Sequence, residues 1–118
     1  MFVKICGITN EDDALLSVAL GADAVGFVFA PSPRQVAPQT AYDITRRLPP
    51  EILTVGVFRD DLPDRVLEVA RRARVKAVQL HGHETPAQVA DQPRHVRWVI
   101  KAVAAGSTDA RRADQFGT

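Results

Sequence analysis

A single cysteine, Cys6, in 118 residues leaves no intrachain disulfide to form. That suits a reducing compartment and gives the expectation of a cytoplasmic protein. Long apolar runs are missing as well: none approaches the ~20 residues that a helix needs to cross a bilayer. The stretch Met1–Cys6 has neither the basic region nor the long apolar core of a signal peptide, and it reads as a strand. An excess of either charge is also missing. Fifteen Lys and Arg against fourteen Asp and Glu leave a net charge of +1. There is no general electrostatic pull toward nucleic acid or an anionic membrane, and neither is expected as a partner. The arginine pairs at 46–47, 71–72 and 111–112 fall in predicted helices and read as solvated faces. The glycine-rich GxGxxG and P-loop patterns are absent. Cys6, His81, His83 and His95 show no ligand spacing typical of zinc, so no metal site is expected.

What is present is a soluble-type composition, 46% apolar and 25% charged, arranged as alternating strands and helices. Five short runs rich in valine and isoleucine read as strands: Phe2–Cys6, Ala24–Phe29, Leu53–Phe58, Lys76–His81 and Trp98–Val103. A helical pattern follows each. Leu15, Val18 and Ala19 share one face of the first helix, Ala41, Ile44 and Leu48 one face of the second, and Val66, Val69, Ala70 and Ala73 one face of the third. Asn10, with Asp13 three residues on, is a cap signal. Thr85-Pro86 is another, and Gly21, Gly106 and Gly117 fall at turns. This alternation predicts a parallel sheet with right-handed crossovers.

Two architectures share that pattern. A doubly wound sheet has helices on both faces, so its central strands should be apolar throughout. Here polar residues recur at period two. Lys4 and Cys6 share one face of their strand, Gln79 and His81 share one face of theirs, and Lys101 interrupts the fifth. A one-sided polar stripe suits the interior of a barrel. The expectation is therefore an α/β fold of the parallel (β/α)8 TIM-barrel type. Only about the first five β/α units are present, so that 1–118 is a single domain forming the N-terminal portion of a barrel. A closed barrel needs eight units and at least ~200 residues, and the sequence stops where a sixth strand is expected.

Candidate chemistry gathers at the C-terminal ends of the strands, where such barrels carry their sites. Cys6 ends the first strand, and Gly7 after it lets the chain turn and a ligand approach. A thiol there can serve as base or nucleophile once ionised. A strand cysteine is also often just a small core residue. Lys4 lies two residues back on the same face, about 6–7 Å along the strand, where its charge would favour a thiolate. Arg34 sits in the loop Pro31-Ser32-Pro33-Arg34 at the same edge. The prolines stiffen that loop, and guanidinium suits bidentate binding of carboxylate or phosphate. A solvated loop arginine is the plainer alternative. His81, followed by Gly82, repeats the Cys6-Gly7 arrangement with Gln79 two residues before it. A histidine satisfied by a backbone carbonyl is the alternative there.

Taken together, Lys4-Ile5-Cys6-Gly7-Ile8-Thr9, the run Gly21 to Phe29, Ser32-Pro33-Arg34, Val55-Gly56-Val57-Phe58 and Val78-Gln79-Leu80-His81-Gly82 resemble phosphoribosylanthranilate isomerase of tryptophan biosynthesis. The resemblance runs over essentially the whole sequence. It implies a (β/α)8 barrel and an Amadori rearrangement of N-(5-phosphoribosyl)anthranilate to 1-(2-carboxyphenylamino)-1-deoxyribulose 5-phosphate, with no cofactor. By that resemblance Cys6 is the general base and Arg34 anchors the anthranilate carboxylate. His81 and Gln79 are implied to bind substrate, while Lys4 and Gly7 are supporting residues by their positions beside Cys6. Three departures stand out. The loop before Arg34 is about one residue short, and Gln35 replaces a common aromatic. The third is larger: the family's general-acid aspartate and its phosphate-binding glycine loops belong to later strands. Asp60, Asp61, Asp109 and Asp114 do not match the acid's motif. The chain alone is therefore expected to be inactive. Two other readings are open: a non-catalytic half-barrel that self-associates or complements a C-terminal half through open edges, and a related barrel isomerase acting on another phosphosugar.

Overall fold

The structure, a computed structural model, describes residues 1–80 and 98–101. Its elements in chain order are β1 (Lys4–Cys6), α1 (Glu11–Ala19), β2 (Ala24–Val28), α2 (Pro38–Thr45), β3 (Leu53–Phe58), α3 (Pro63–Ala73), β4 (Ala77–Leu80) and β5 (Trp98–Lys101). All five expected strands are present. The Thr85-Pro86 cap, the turns at Gly106 and Gly117, and the helices expected after β4 and β5 lie outside the described residues.

The strands form one parallel sheet in the order β1-β2-β3-β4-β5. This order decides between the two architectures. A doubly wound sheet reverses its order partway across, which sends helices to both faces. Here the order never reverses, and the helices share one face. One continuous core joins Ala14 of α1, Ile44 of α2 and Val66 and Val69 of α3 to Val25, Phe27, Phe58, Val78 and Leu80 of the strands.

The opposite face carries the polar stripe. Pairing in register aligns Lys4 with Ala24 and Leu53, Cys6 with Gly26, Val55 and Ala77, and Val28 with Val57 and Gln79. Ala24, Val55 and Ala77 make a small second core there, with Leu53 against it. Lys4 donates from Nζ to Oε1 of Gln79, although β1 and β4 are three strand spacings apart. In a flat sheet they would lie about 14 Å apart, with side chains standing side by side. The contact marks this face as the concave side of a curled sheet.

Local chemistry explains the element ends. Asn10 caps α1: its Oδ1 accepts from Asp13 N at 2.8 Å, and its Nδ2 donates to Asp13 Oδ2 at 3.0 Å. Pro38 and Pro63 open α2 and α3 at positions where a missing N–H costs nothing. The ladder of β1 starts at Lys4 rather than Phe2 because the Asp23 side chain takes the Val3 N–H at 2.8 Å. Thr45 Oγ1 donates to Ala73 O at 2.9 Å, tying the end of α3 to α2.

The inward faces of α2 and α3 are the expected ones: Ala41, Ile44, Val66, Val69, Ala70 and Ala73 are all buried, and Leu48, expected on the second helix, is buried just beyond its end. The face of α1 is a correction. Ala14 is its fully buried residue, Val18 is only partly buried, and Leu15 stays 41% exposed. This helix is the first of the layer, and among the described residues it has a neighbouring helix on one side only. A small residue meets the sheet, and the leucines face outward.

Gly56 shows how tightly the helix-side layer is filled. A Cβ there would come within 2.9 Å of Phe29 Cε2 and 3.0 Å of Phe58 Cε2, and those two rings already pack with centroids 5.3 Å apart. Gly56→Ala is expected to destabilise the chain by about 1–3 kcal/mol through overpacking. Urea unfolding would register this as a lower midpoint at unchanged m-value.

Candidate active site

Cys6 ends β1 at the C-terminal edge of the sheet and its side chain is exposed. The chain leaves the sheet at once. Gly7 N and Ile8 N both donate to Gly26 O, at 3.1 and 3.0 Å, and Gly7 adopts φ +87°, a conformation that favours glycine. The neighbouring strand leaves room for the thiol. Gly26 lies in register with Cys6, and a Cβ at Gly26 would fall 3.0 Å from Sγ.

Arg34 reaches the same place from β2. Its loop is closed by a set of short bonds. Arg34 N donates to Ser32 Oγ at 3.1 Å, and Gln35 N donates to Ser32 O at 3.1 Å. Val36 N returns to Val28 O at 3.0 Å. Across the neck, the Gln35 side chain donates to Phe29 O at 3.2 Å. The short loop and the glutamine in place of an aromatic thus have a structural account: an amide hydrogen bond holds the loop shut. The stem of Arg34 then lies over Gly7, where a glycine Cβ would meet Arg34 Cγ at 3.5 Å. Cys6 and Arg34, 28 positions apart in sequence, are brought together across one glycine.

Gln79 enters from β4, half-buried, with its Oε1 accepting from Lys4 Nζ. Lys4 therefore spends its ammonium on an amide across the concave face. Cys6, Arg34 and Gln79 line one cavity of about 470 Å³, with Ser32 and apolar Val28, Ala30, Pro31, Pro33 and Val57. His81 lies outside the described residues, as do His83, His95, Asp109 and Asp114.

One lining residue was not singled out from the sequence. Arg59, directly after β3, is in the same cavity wall. The available signal was its position: a cation at the C-terminal end of a strand, at the edge that holds Cys6 and Arg34. Its Nε lies 4.0 Å from Asp60 Oδ2, and Asp60 has φ 55°. Among the described residues no group of three His, Cys, Asp or Glu side chains is placed to hold a metal ion, and no helix is long and apolar enough to cross a membrane.

This site can be set beside known proteins. The model of the family described as N-(5'phosphoribosyl)anthranilate (PRA) isomerase matches residues 3–117. The N-(5'-phosphoribosyl)anthranilate isomerase of Desulforudis audaxviator is 49% identical over 118 residues, covering 97% of this chain and 56% of the relative. The crystal structure of phosphoribosyl anthranilate isomerase from Thermus thermophilus superimposes with a TM-score of 0.89 at 47% identity, over 98% of this chain and 58% of that one. A second solved isomerase, in complex with reduced 1-(o-carboxyphenylamino)-1-deoxyribulose 5-phosphate, also matches with a TM-score of 0.89 at 47% identity, over 96% of this chain and 59% of that one. The chain spans about half the length of the curated relatives it matches. Its sheet order, its one-sided helix layer and these matches agree: the chain belongs to the N-(5'-phosphoribosyl)anthranilate isomerase family and has the parallel α/β architecture of that family's barrels.

Proposed function

We propose that this chain, residues 1–118 as one domain, is the base-bearing N-terminal portion of a cytoplasmic isomerase of tryptophan biosynthesis. Its substrate is N-(5-phosphoribosyl)anthranilate and its product 1-(2-carboxyphenylamino)-1-deoxyribulose 5-phosphate, an aldose-to-ketose Amadori rearrangement. The observation that carries this reading is the meeting of Cys6 and Arg34 across Gly7 at one cavity. A base and a carboxylate anchor on adjacent loops are what an anthranilate-bearing aminosugar requires. The solved relative bound to the reduced form of that product supports the substrate class.

The steps balance without an oxidant or reductant. An acid protonates the furanose ring oxygen, the C1–O bond breaks, and nitrogen lone-pair density forms the iminium. The Cys6 thiolate then removes the C2 proton. The C–H electrons form C1=C2, and the iminium electrons return to nitrogen, giving the enolamine. Return of a proton to C1 and loss of the hydroxyl proton at C2 yield the ketone. Arg34 grips the carboxylate throughout, which fixes the aryl end and brings C2 to the thiolate. Gln79 lines the cavity, and the resemblance assigns His81 to substrate binding. The lysine at position 4 orients Gln79 through their hydrogen bond, and Gly7 gives Arg34 its seat. The ring-opening acid and the phosphate grip belong to later strands of the barrel, so this chain alone does not turn over.

Following the loss of substrate fluorescence tests that division. The 118-residue chain is expected to show no turnover, and turnover by the chain alone refutes the division. Mixed with the C-terminal half of a relative, it should become active, and Cys6→Ser should then lower kcat by about 10²–10⁴, the usual worth of a general base. Gly26→Ala, which crowds Sγ, should slow thiol modification of Cys6 by a disulfide reagent severalfold in the folded chain.

A second reading concerns assembly. Phe2, Leu16 and Leu20 are 65%, 57% and 78% exposed. With Val3, Ile5 and Leu15 they follow β1 and α1, at the end of the sheet where β1 pairs only with β2 among the described residues. An apolar edge of this kind recruits another strand and helix. Light scattering after size exclusion is expected to give a mass above that of a monomer. A stable monomer removes this reading.

A further inference from the structure

The cavity beside Cys6 has a second cation that the proposed reaction leaves without a task. Arg34 follows β2 and Arg59 follows β3, and these strands are neighbours. Val28 is in register with Val57, and Phe29 N donates to Val57 O at 2.9 Å. The two arginines therefore rise from adjacent loops at one edge and face the same space of about 470 Å³. No carboxylate is among the described residues that line it, while Pro31, Pro33 and Val57 supply an apolar wall. Two planar guanidinium groups beside an apolar wall suit a flat aromatic acid better than a free inorganic anion, whose hydration the wall would strip without return. The contact of Arg59 with Asp60, at 4.0 Å with side chains 59% and 45% exposed, is of the weak surface kind that a ligand can displace.

We infer that Arg59 is a second substrate-binding residue, joining Arg34 on the aromatic carboxylate and setting the preference for an acid over its neutral analogue. This rests on the isomerase reading and extends it to the chain's own specificity. Arg59 touches the ligand's anchored end and takes no proton in the reaction.

The test titrates anthranilate, and separately neutral 2-aminobenzamide, into the 118-residue chain and its variants by calorimetry or ligand-observed NMR. Arg59→Gln is expected to weaken anthranilate about five- to tenfold, the scale of one partly exposed charge-assisted contact. Arg59→Lys should recover part of that loss, and 2-aminobenzamide should bind all three proteins alike. Thermal unfolding of Arg59→Gln should match the parent. If Arg34→Gln loses anthranilate while Arg59→Gln binds it normally, the inference fails and the isomerase reading stands. Equal weakening of both ligands by Arg59→Gln makes the effect structural and overturns the inference. Inorganic phosphate displacing anthranilate as strongly as another carboxylate overturns the assignment of an aromatic acid. No binding of anthranilate by the parent chain removes both the inference and the carboxylate anchor beneath it.

Discussion

Pairing every strand with the next one in sequence is the constraint from which the remaining structure follows. With the order never reversing, each crossover returns on the same side, and all three described helices must share one face. The sheet then bends around its other face. That face cannot be filled by the large residues of the helix side, so it is furnished with Ala24, Val55 and Ala77 and with the bonded pair Lys4 and Gln79. The same order sets the C-terminal ends of consecutive strands side by side. Residues remote in sequence but next in strand number, Cys6 and Arg34 above all, become neighbours without any long-range device beyond strand pairing.

Glycine positions show the two faces making opposite demands on neighbouring strands. Gly26 of β2 faces inward and clears space for the Cys6 thiol, while Gly56 of β3 faces the helices and clears space for the Phe29 and Phe58 rings. The ring of Phe29 closes the helix-side layer, and its carbonyl receives the Gln35 amide that shuts the Arg34 loop. Packing on the outside of the barrel and presentation of an arginine on its rim thus share one residue. Where an aromatic could hold this loop by burial, Gln35 holds it by a hydrogen bond at half-exposed cost. The bond survives because the loop is short enough for Val36 to rejoin β2 at Val28.

Much of this arrangement was legible in the sequence, and for identifiable reasons. Strand period two put Lys4 with Cys6 and separated Gln79 from Val78 and Leu80, which is enough to see a polar inner stripe. The spacing of Val66, Val69, Ala70 and Ala73 named the inward face of α3 correctly, and all four are buried. The reasoning failed for α1, where Leu15 outranks Ala14 in hydrophobicity but not in fit. Periodicity measures how apolar a stripe is and carries no information on which side a neighbour stands. The ladder's start at Lys4 depended on the Asp23 side chain taking the Val3 N–H, a tertiary bond no local pattern encodes. Arg59 carries no local motif that sets it apart from the other arginines of the sequence. Only the curl of the sheet shows that it overhangs the cavity. His81 falls outside the described residues, so its placement rests on the resemblance alone.

The company kept by Cys6 bears on how such a reaction must be laid out. A thiolate is favoured by nearby cations and disfavoured by a nearby carboxylate. A carboxylic acid that must deliver a proton has the reverse requirement, since adjacent cations hold it ionised and spoil it as a donor. A base and an acid serving one turnover therefore need local environments that push their pKa values apart. The described rim supplies two arginines and a thiol with no carboxylate in the cavity wall, a lining that suits an anionic ligand. In the proposed reaction, an acid set apart from Arg34 and Arg59 would escape the pull of their charge toward its ionised form. Under the proposed function, keeping the carboxylate-binding side apart from the proton-donating side meets both requirements. The two groups proposed to face the aromatic acid, Arg34 and Arg59, follow neighbouring strands β2 and β3, so strand order alone sets them side by side.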